Sequence, residues 1–300
     1  MAQYRILTFD GGGIRGALSV NLLQRLTEDF PELLPNTRFF AGTSTGSFIA
    51  LGLAYGLAPA DLADLYSEEK GKFIFTPSHI EVFKPKYKNE HLRQALCSVF
   101  PEDLRLKDLK HRVLVPSFRV SGNGTGSWRP IFFNNFPNST TADVKVIDAA
   151  LSSSAAPVYF PSYQSHIDGG VIANNPSTAA IALAGDEQGG GQELDDVCLL
   201  SLGTGFSPQR ITADTTQWGA FEWALYPKPT FPLLSVLLDG VVELDVYFSR
   251  QLLRKRFHRI NPALTKPIDL DDYKKIPYLV ALAESYDLQP TIDWLNQNWL

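Results

Sequence analysis

Two short apolar runs, each closed by glycines and followed by a helix-like stretch, constrain this chain more than any other feature. The first is Tyr4-Arg5-Ile6-Leu7-Thr8-Phe9, ended by Asp10-Gly11-Gly12-Gly13; Leu18, Leu22, Leu23 and Leu26 follow at helical spacing, with Pro31 past their end. The second is Arg38-Phe39-Phe40-Ala41, broken at Gly42 and followed by a small-residue apolar helix reaching Tyr55. Apolar runs under about eight residues, bounded by turn residues, read as buried strands. Two consecutive strand–turn–helix units imply parallel strands, because a parallel pair needs a crossover connection. Further strands are predicted at Arg112–Val120, Ile131–Phe133, Ser165–Asp168 and Val197–Leu202, and a helix at Ala179–Ala184. The expected fold is α/β, a three-layer α/β/α arrangement with a mostly parallel central sheet.

Of the 300 residues, 44% are hydrophobic and 20% charged, which supports a sizeable core and a single domain over residues 1–300. The net charge of −5 carries no basic nucleic-acid footprint, so no nucleic-acid partner is expected. Cys97 and Cys198 form neither a disulfide framework nor a metal motif, and no metal is expected. The opening residues lack the apolar core of a secretory signal, and the most apolar stretch, Phe48 to Ala60, is too short to span a bilayer. A cytoplasmic protein is expected. Two segments fit the α/β rhythm less well. Glu68 to Lys88 mixes aromatics, lysines and prolines and reads as a loop or cap. From Phe206 onward the chain is rich in proline and tryptophan (Trp218, Trp223, Trp294, Trp299), with a helix predicted from about Leu233 to Arg256.

Gly11-Gly12-Gly13-Ile14-Arg15-Gly16 matches the dinucleotide fingerprint, but the second strand ends Phe40-Ala41-Gly42-Thr43-Ser44 without the carboxylate that binds ribose. Ala17 and Leu18 stand where a P-loop requires Lys and Ser/Thr. What remains is a row of glycines whose amides can converge on an anion, beside a helix N-terminus and Arg15. A nucleotide-binding oxidoreductase stays as the alternative reading. Gly42-Thr43-Ser44-Thr45-Gly46 is a GxSxG sequence on a strand-to-helix turn, the setting of a nucleophile elbow. Turns ending two parallel strands face one crevice, so the Gly11–Gly13 amides could serve an oxyanion formed at Ser44.

A serine nucleophile needs a base. Of His79, His91, His111, His166 and His258, only His258 is late enough for a Ser–Asp–His order, and it sits in Arg254-Lys255-Arg256-Phe257-His258-Arg259, which reads as a solvated helix face. His166 lies two residues before Asp168 and would share its strand face. Asp168, in Ile167-Asp168-Gly169-Gly170, ends a predicted strand, although Asp-Gly is also an ordinary turn. The residues by themselves do not choose the base.

Asp10 to Gly16, then Gly42 to Gly46, then Asp168-Gly169-Gly170, in that order, resemble the patatin-like phospholipase family. Ser153-Ser154-Ala155-Ala156-Pro157-Val158-Tyr159-Phe160 and Leu200-Ser201-Leu202-Gly203-Thr204-Gly205 are similar too, so the resemblance spans residues 4 to 206. It implies a lipid acyl hydrolase of phospholipase A, lysophospholipase or esterase type. Ser44 would be the nucleophile and Asp168 the base, with no cofactor, catalytic histidine or calcium. The resemblance further assigns the oxyanion hole to the Gly11, Gly12 and Gly13 amides, supported by Arg15, and the elbow to Gly42, Thr43, Thr45 and Gly46. A silent storage or lipid-binding member is the other alternative. The partners implied are lipid acyl esters, met at a membrane surface. Phe73, Ile74, Phe75, Val82, Phe83 and Tyr87, among Lys70, Lys72, Lys84, Lys86 and Lys88, suit such a surface, or equally a loop packed on the domain. A carboxylate base held by turn amides is expected to switch activity on below about pH 6. The sequons at Asn123 and Asn138 are expected to be idle.

Overall fold

The computed structural model describes residues 4–78, 84–121, 127–206, 211–226 and 229–300. Its strands are β1 (Tyr4–Phe9), β2 (Phe39–Gly42), β3 (Arg112–Arg119), β4 (Arg129–Asn134), β5 (His166–Asp168), β6 (Val197–Leu202) and β7 (Phe257–Ile260). They form one sheet in the order β4-β3-β2-β1-β6-β7, with β5 also paired to β3. Pairs β1–β2, β1–β6, β2–β3 and β6–β7 are parallel. The sheet is mostly parallel, as expected, and the two exceptions are local. β4 and β5 both run antiparallel to β3. β2 meets β3 at Arg112–Leu114 and β5 meets it at Ser117–Arg119, which sets Asp168 opposite Ser117.

The helices used below are α1 (Gly16–Asp29), α2 (Thr45–Tyr55), α3 (Glu68–Ile74), α4 (Asn89–Cys97), α5 (Val146–Ser153), α6 (Ser177–Gly185), α7 (Val242–Leu253), α8 (Ile276–Ser285) and α9 (Gln289–Asn298). The central strands are buried on both faces, so alternate residues feed two cores. Leu7, Phe9, Phe40, Leu200 and Leu202 pack with α1, α2, α5 and α8. Ile6, Phe39, Ala41 and Leu199 point the other way, toward Ala180 and Ile181 of α6 and Val246 and Leu253 of α7. That alternation builds the three layers. Among the described residues no helix is long and apolar enough to cross a membrane.

Three expectations are corrected. The helix predicted from Leu233 to Arg256 is broken into a turn of helix at Pro232–Ser235, a π-helical turn at Val236–Gly240, α7, and a 3₁₀ turn at Arg254–Arg256. The break lets the chain add β7, whose Phe257 and Ile260 are buried against the sheet. His258 therefore lies on a strand and not on a solvated helix face: its Nε2 is 3.0 Å from Thr291 Oγ1 of α9, and its ring stacks on Trp294. Finally, Glu68 to Ile74 is helical. Ser67 Oγ accepts the Lys70 amide, and Glu68 and Glu69 occupy the positive end of the helix.

Candidate active site

The turn between β2 and α2 holds Ser44 at φ 51° and ψ −122°, a left-handed conformation rare outside glycine. Its flanking glycines are required by close approach. A Cβ on Gly42 would lie 2.1 Å from the Gly46 carbonyl oxygen, and one on Gly46 would lie 2.3 Å from the Phe9 carbonyl oxygen. Neighbouring side chains fix the strained turn. Ser44 donates its amide to Ser153 Oγ at 2.9 Å, and Ser153 donates its hydroxyl to the Pro116 carbonyl at 2.6 Å. Thr43 donates its hydroxyl to the Ala173 carbonyl at 2.6 Å, and Tyr66 donates to the Thr45 carbonyl at 2.7 Å.

Asp168 reaches Ser44 from the end of β5. The Ser44 hydroxyl donates to Asp168 Oδ2 at 2.7 Å, and the Gly170 amide donates to Oδ1 at 2.7 Å. Gly169 is dictated by β3, because a Cβ there would lie 2.1 Å from the Pro116 carbonyl oxygen. Asp168 is fully buried; burial pushes its carboxyl up to about 7, against the two hydrogen bonds that favour the charged form. Among the described residues, no histidine hydrogen-bonds to Ser44 or Asp168. His166 packs on Phe133 with its Nδ1 buried and unpartnered, and burial pushes its pKa down. His91 stacks on Phe73, and His111 meets Phe40 edge-on. His79 lies outside the described residues, as do Val82, Phe83 and the Asn123 sequon.

The glycine turn after β1 faces the same niche, which Gly12, Gly13, Arg15, Ser44, Asp168 and Asn174 line, with Leu238 and Leu270 closing it. The three amides are not equivalent. Gly11 donates to the Asn174 carbonyl at 2.9 Å, and a Cβ on it would lie 2.1 Å from Asn174 Oδ1, so its part is close approach and not donation. The Gly12 and Gly13 amides have no acceptor among the described residues. Gly13 has φ 58°, and a Cβ there would strike the Leu270 carbonyl, to which Ile14 already donates its amide at 2.9 Å. The helix-start amide that a nucleotide phosphate would need is thus taken. Arg15 donates Nε to the Gly12 carbonyl at 3.2 Å and pairs with Asp239 at 2.6 Å.

From Ser44 an apolar cavity runs between α2, α3 and α4, lined by Phe48, Ile74, Phe75, Leu92, Leu96 and Phe160 among others. Together with the open solvent at its mouth it takes in about 720 Å³. Of the four described members of the apolar row weighed for a lipid surface, three turn inward: Ile74 and Phe75 are cavity wall, and Tyr87 is buried against Asp271, which also binds Lys86. Phe73 remains on the outside.

The family model for patatin-like phospholipases matches residues 7–181, more than half of the 300 residues. The chain belongs to the patatin-like phospholipase family. Similar members include CotR of Bacillus subtilis (strain 168), 35% identical over 320 aligned residues that cover 100% of this chain and 99% of that protein. "Protein teg" of Priestia megaterium is 35% identical over 320 residues, covering all of both chains. A "cGAMP-activated phospholipase" of Vibrio cholerae is 36% identical over 204 residues, covering 58% of this chain and 56% of that one. Membership of a phospholipase family supports lipid-hydrolase activity in this patatin-like protein.

Sequence reasoning missed Arg259. It projects from β7 to grip Asp10, at the head of the glycine turn, through contacts of 2.5 and 3.1 Å, and its Nη1 also donates to Ser201 Oγ at 2.7 Å. Both partners are buried. An aspartate closing a buried strand needs a cation, and that was the available signal. Arg259→Ala would leave the Asp10 charge buried and unpaired, so it is expected to destabilise the fold by about 3–5 kcal/mol. Denaturant unfolding checks this; a midpoint unchanged from wild type would contradict it.

Proposed function

We propose that this protein is a serine hydrolase that cleaves carboxylic esters of lipids through an acyl-serine intermediate. The observation that carries the reading is the Ser44 hydroxyl, 2.7 Å from a buried Asp168 oxygen at the head of an apolar cavity. In the proposed reaction Asp168 takes the hydroxyl proton while Ser44 Oγ attacks the ester carbonyl carbon. The Gly12 and Gly13 amides meet the developing oxyanion, and the N-terminus of α2 adds its positive dipole end. Collapse of the tetrahedral intermediate expels the alcohol, which leaves with the proton from Asp168. Water then attacks acyl-Ser44 and gives a proton to Asp168; collapse of this second intermediate breaks the acyl–Oγ bond, returns that proton to the Ser44 oxygen and frees the fatty acid.

A carboxylate is an inefficient base when its pKa lies far below the working pH. Burial brings Asp168 up to about 7 and narrows that gap. Each oxyanion donor contributes about 2.7–4 kcal/mol in comparable sites, so the glycine turn rivals the base in weight. Every step is carried by side chains and amides of this chain, so turnover of a soluble chromogenic acyl ester is expected to persist in EDTA. A fluorophosphonate probe is expected to add to Ser44, read as a mass shift on the peptide that contains it. An adduct on another serine, or turnover that chelation abolishes, would overturn the reading.

A further inference from the structure

One apolar surface is left without a partner in the described structure. α7 buries Val246, Ser249 and Leu253 against the body, while Leu244, Tyr247, Phe248 and Leu252 form a stripe on its outer side and expose 40–60% of their surface. Leu233 and Val236, just before α7, are exposed to a similar degree. Exposed large apolar residues recurring three and four apart along one helix face mark an interaction site.

We propose that this face, running from Leu233 to Leu252, is the surface by which the protein docks on an anionic lipid bilayer. The choice of a bilayer rests on the lipid-hydrolase reading above and on two further observations. The first is continuity with the site. The π-helical turn that bears Val236 also bears Leu238 and Asp239, which close the niche over Ser44 and bind Arg15. Beneath that turn lies a crevice whose walls Tyr159 and Leu270 also line the apolar cavity. A lipid leaving a bilayer at this face would meet the catalytic niche without crossing bulk water. The second is charge. The chain carries −5 overall, yet the C-terminal end of the stripe is flanked by exposed Arg250, Arg254 and Lys255. Rings that sink to the headgroup level beside cations that meet phosphate are the chemistry of an interfacial helix. Glu243 and Asp245 lie in the first turn at the opposite end of α7, and Asp239 before it is paired with Arg15, so the cations are confined to the C-terminal end of the stripe.

The test is co-sedimentation with vesicles of phosphatidylcholine containing phosphatidylglycerol, and with phosphatidylcholine alone, for three full-length proteins. Wild type is expected to partition onto the mixed vesicles. The Tyr247→Ser/Phe248→Ser variant is expected to lose at least about tenfold in partition. Arg250→Gln/Lys255→Gln is expected to weaken binding to the mixed vesicles and leave binding to pure phosphatidylcholine unchanged. All three should hydrolyse a soluble ester equally, because none of these side chains lines the niche. Wild type that ignores vesicles, or a Tyr247→Ser/Phe248→Ser variant that binds like wild type, overturns the proposal. So does a wild-type dimer that this variant converts to monomer, which would make the face a contact between two copies of the chain. Vesicle binding needs no turnover, so an inert protein that still docks would sink the hydrolase reading alone.

Discussion

Ser44→Ala is expected to abolish ester turnover, by a factor on the order of 10⁴–10⁶, and to leave the fold intact. The size of the loss follows from the attacking oxygen: among the described residues no other hydroxyl shares a hydrogen bond with Asp168. Stability should hold for two reasons. Alanine keeps the same Cβ at φ 51°, so it adds no strain to that already present. The bonds that hold the turn involve the Ser44 amide and carbonyl, not its hydroxyl. Residual activity above a few per cent, in protein whose unfolding midpoint matches wild type, would place the nucleophile elsewhere.

Asp168→Asn should give opposite signs for rate and stability. An amide cannot take the Ser44 proton, so a loss of about 10²–10⁴ in kcat is expected, the range of a general base. Stability should rise in alkaline solution. The folded-state pKa of about 7 lies above the ordinary carboxyl value of 3.8. The folded protein therefore binds the proton more tightly, and this contribution is fully present below pH 4 and lost as pH rises through 7. At pH 8 the buried charge costs about 4 kcal/mol, which the asparagine variant should recover. Its gain in melting temperature should shrink toward zero as pH falls to 4. Equal melting temperatures at pH 8 would contradict a buried, ionising carboxylate.

The same value corrects the acid limb of kcat/KM. Sequence reasoning placed it below pH 6, relying on turn amides to offset burial. Among the described residues only the Gly170 amide and the Ser44 hydroxyl donate to Asp168, and burial is complete, so activity should rise through about pH 7 to a plateau. That position overlaps the imidazole range. The temperature dependence of the limb then separates the two, since carboxyl ionisation absorbs little heat and imidazolium ionisation absorbs much.

The legible parts of this protein are its strand rhythm and its motifs. Asp10 to Gly13, Gly42 to Gly46 and Asp168 to Gly170 could be read from their glycine turns and from their resemblance to the family, although only for Gly42 does the nearest obstacle, the Gly46 carbonyl, come from within the same motif. Parallel strands followed from run length and the crossover rule. What escaped depends on distant partners. β7 is four residues long, and its Arg-Lys-Arg approach imitates a solvated helix; only the buried Asp10 reveals that Arg259 belongs inside. The inward turn of Ile74 and Phe75 is set by the cavity they line, which no local pattern encodes. The π-helical turn over Ser44 was invisible for the same reason, being tied down by Arg15 and Asn174 from the far side of the sheet sequence.

The Asp10–Arg259 pair, 249 positions apart in sequence, has a consequence during synthesis. Asp10 emerges from the ribosome long before Arg259, and until then the turn that carries Gly12 and Gly13 has no anchor on that side. The Gly12–Gly13 turn, Ser44 and Asp168 all precede β7 in the chain, so the buried Asp10–Arg259 pair can close only after they have been made.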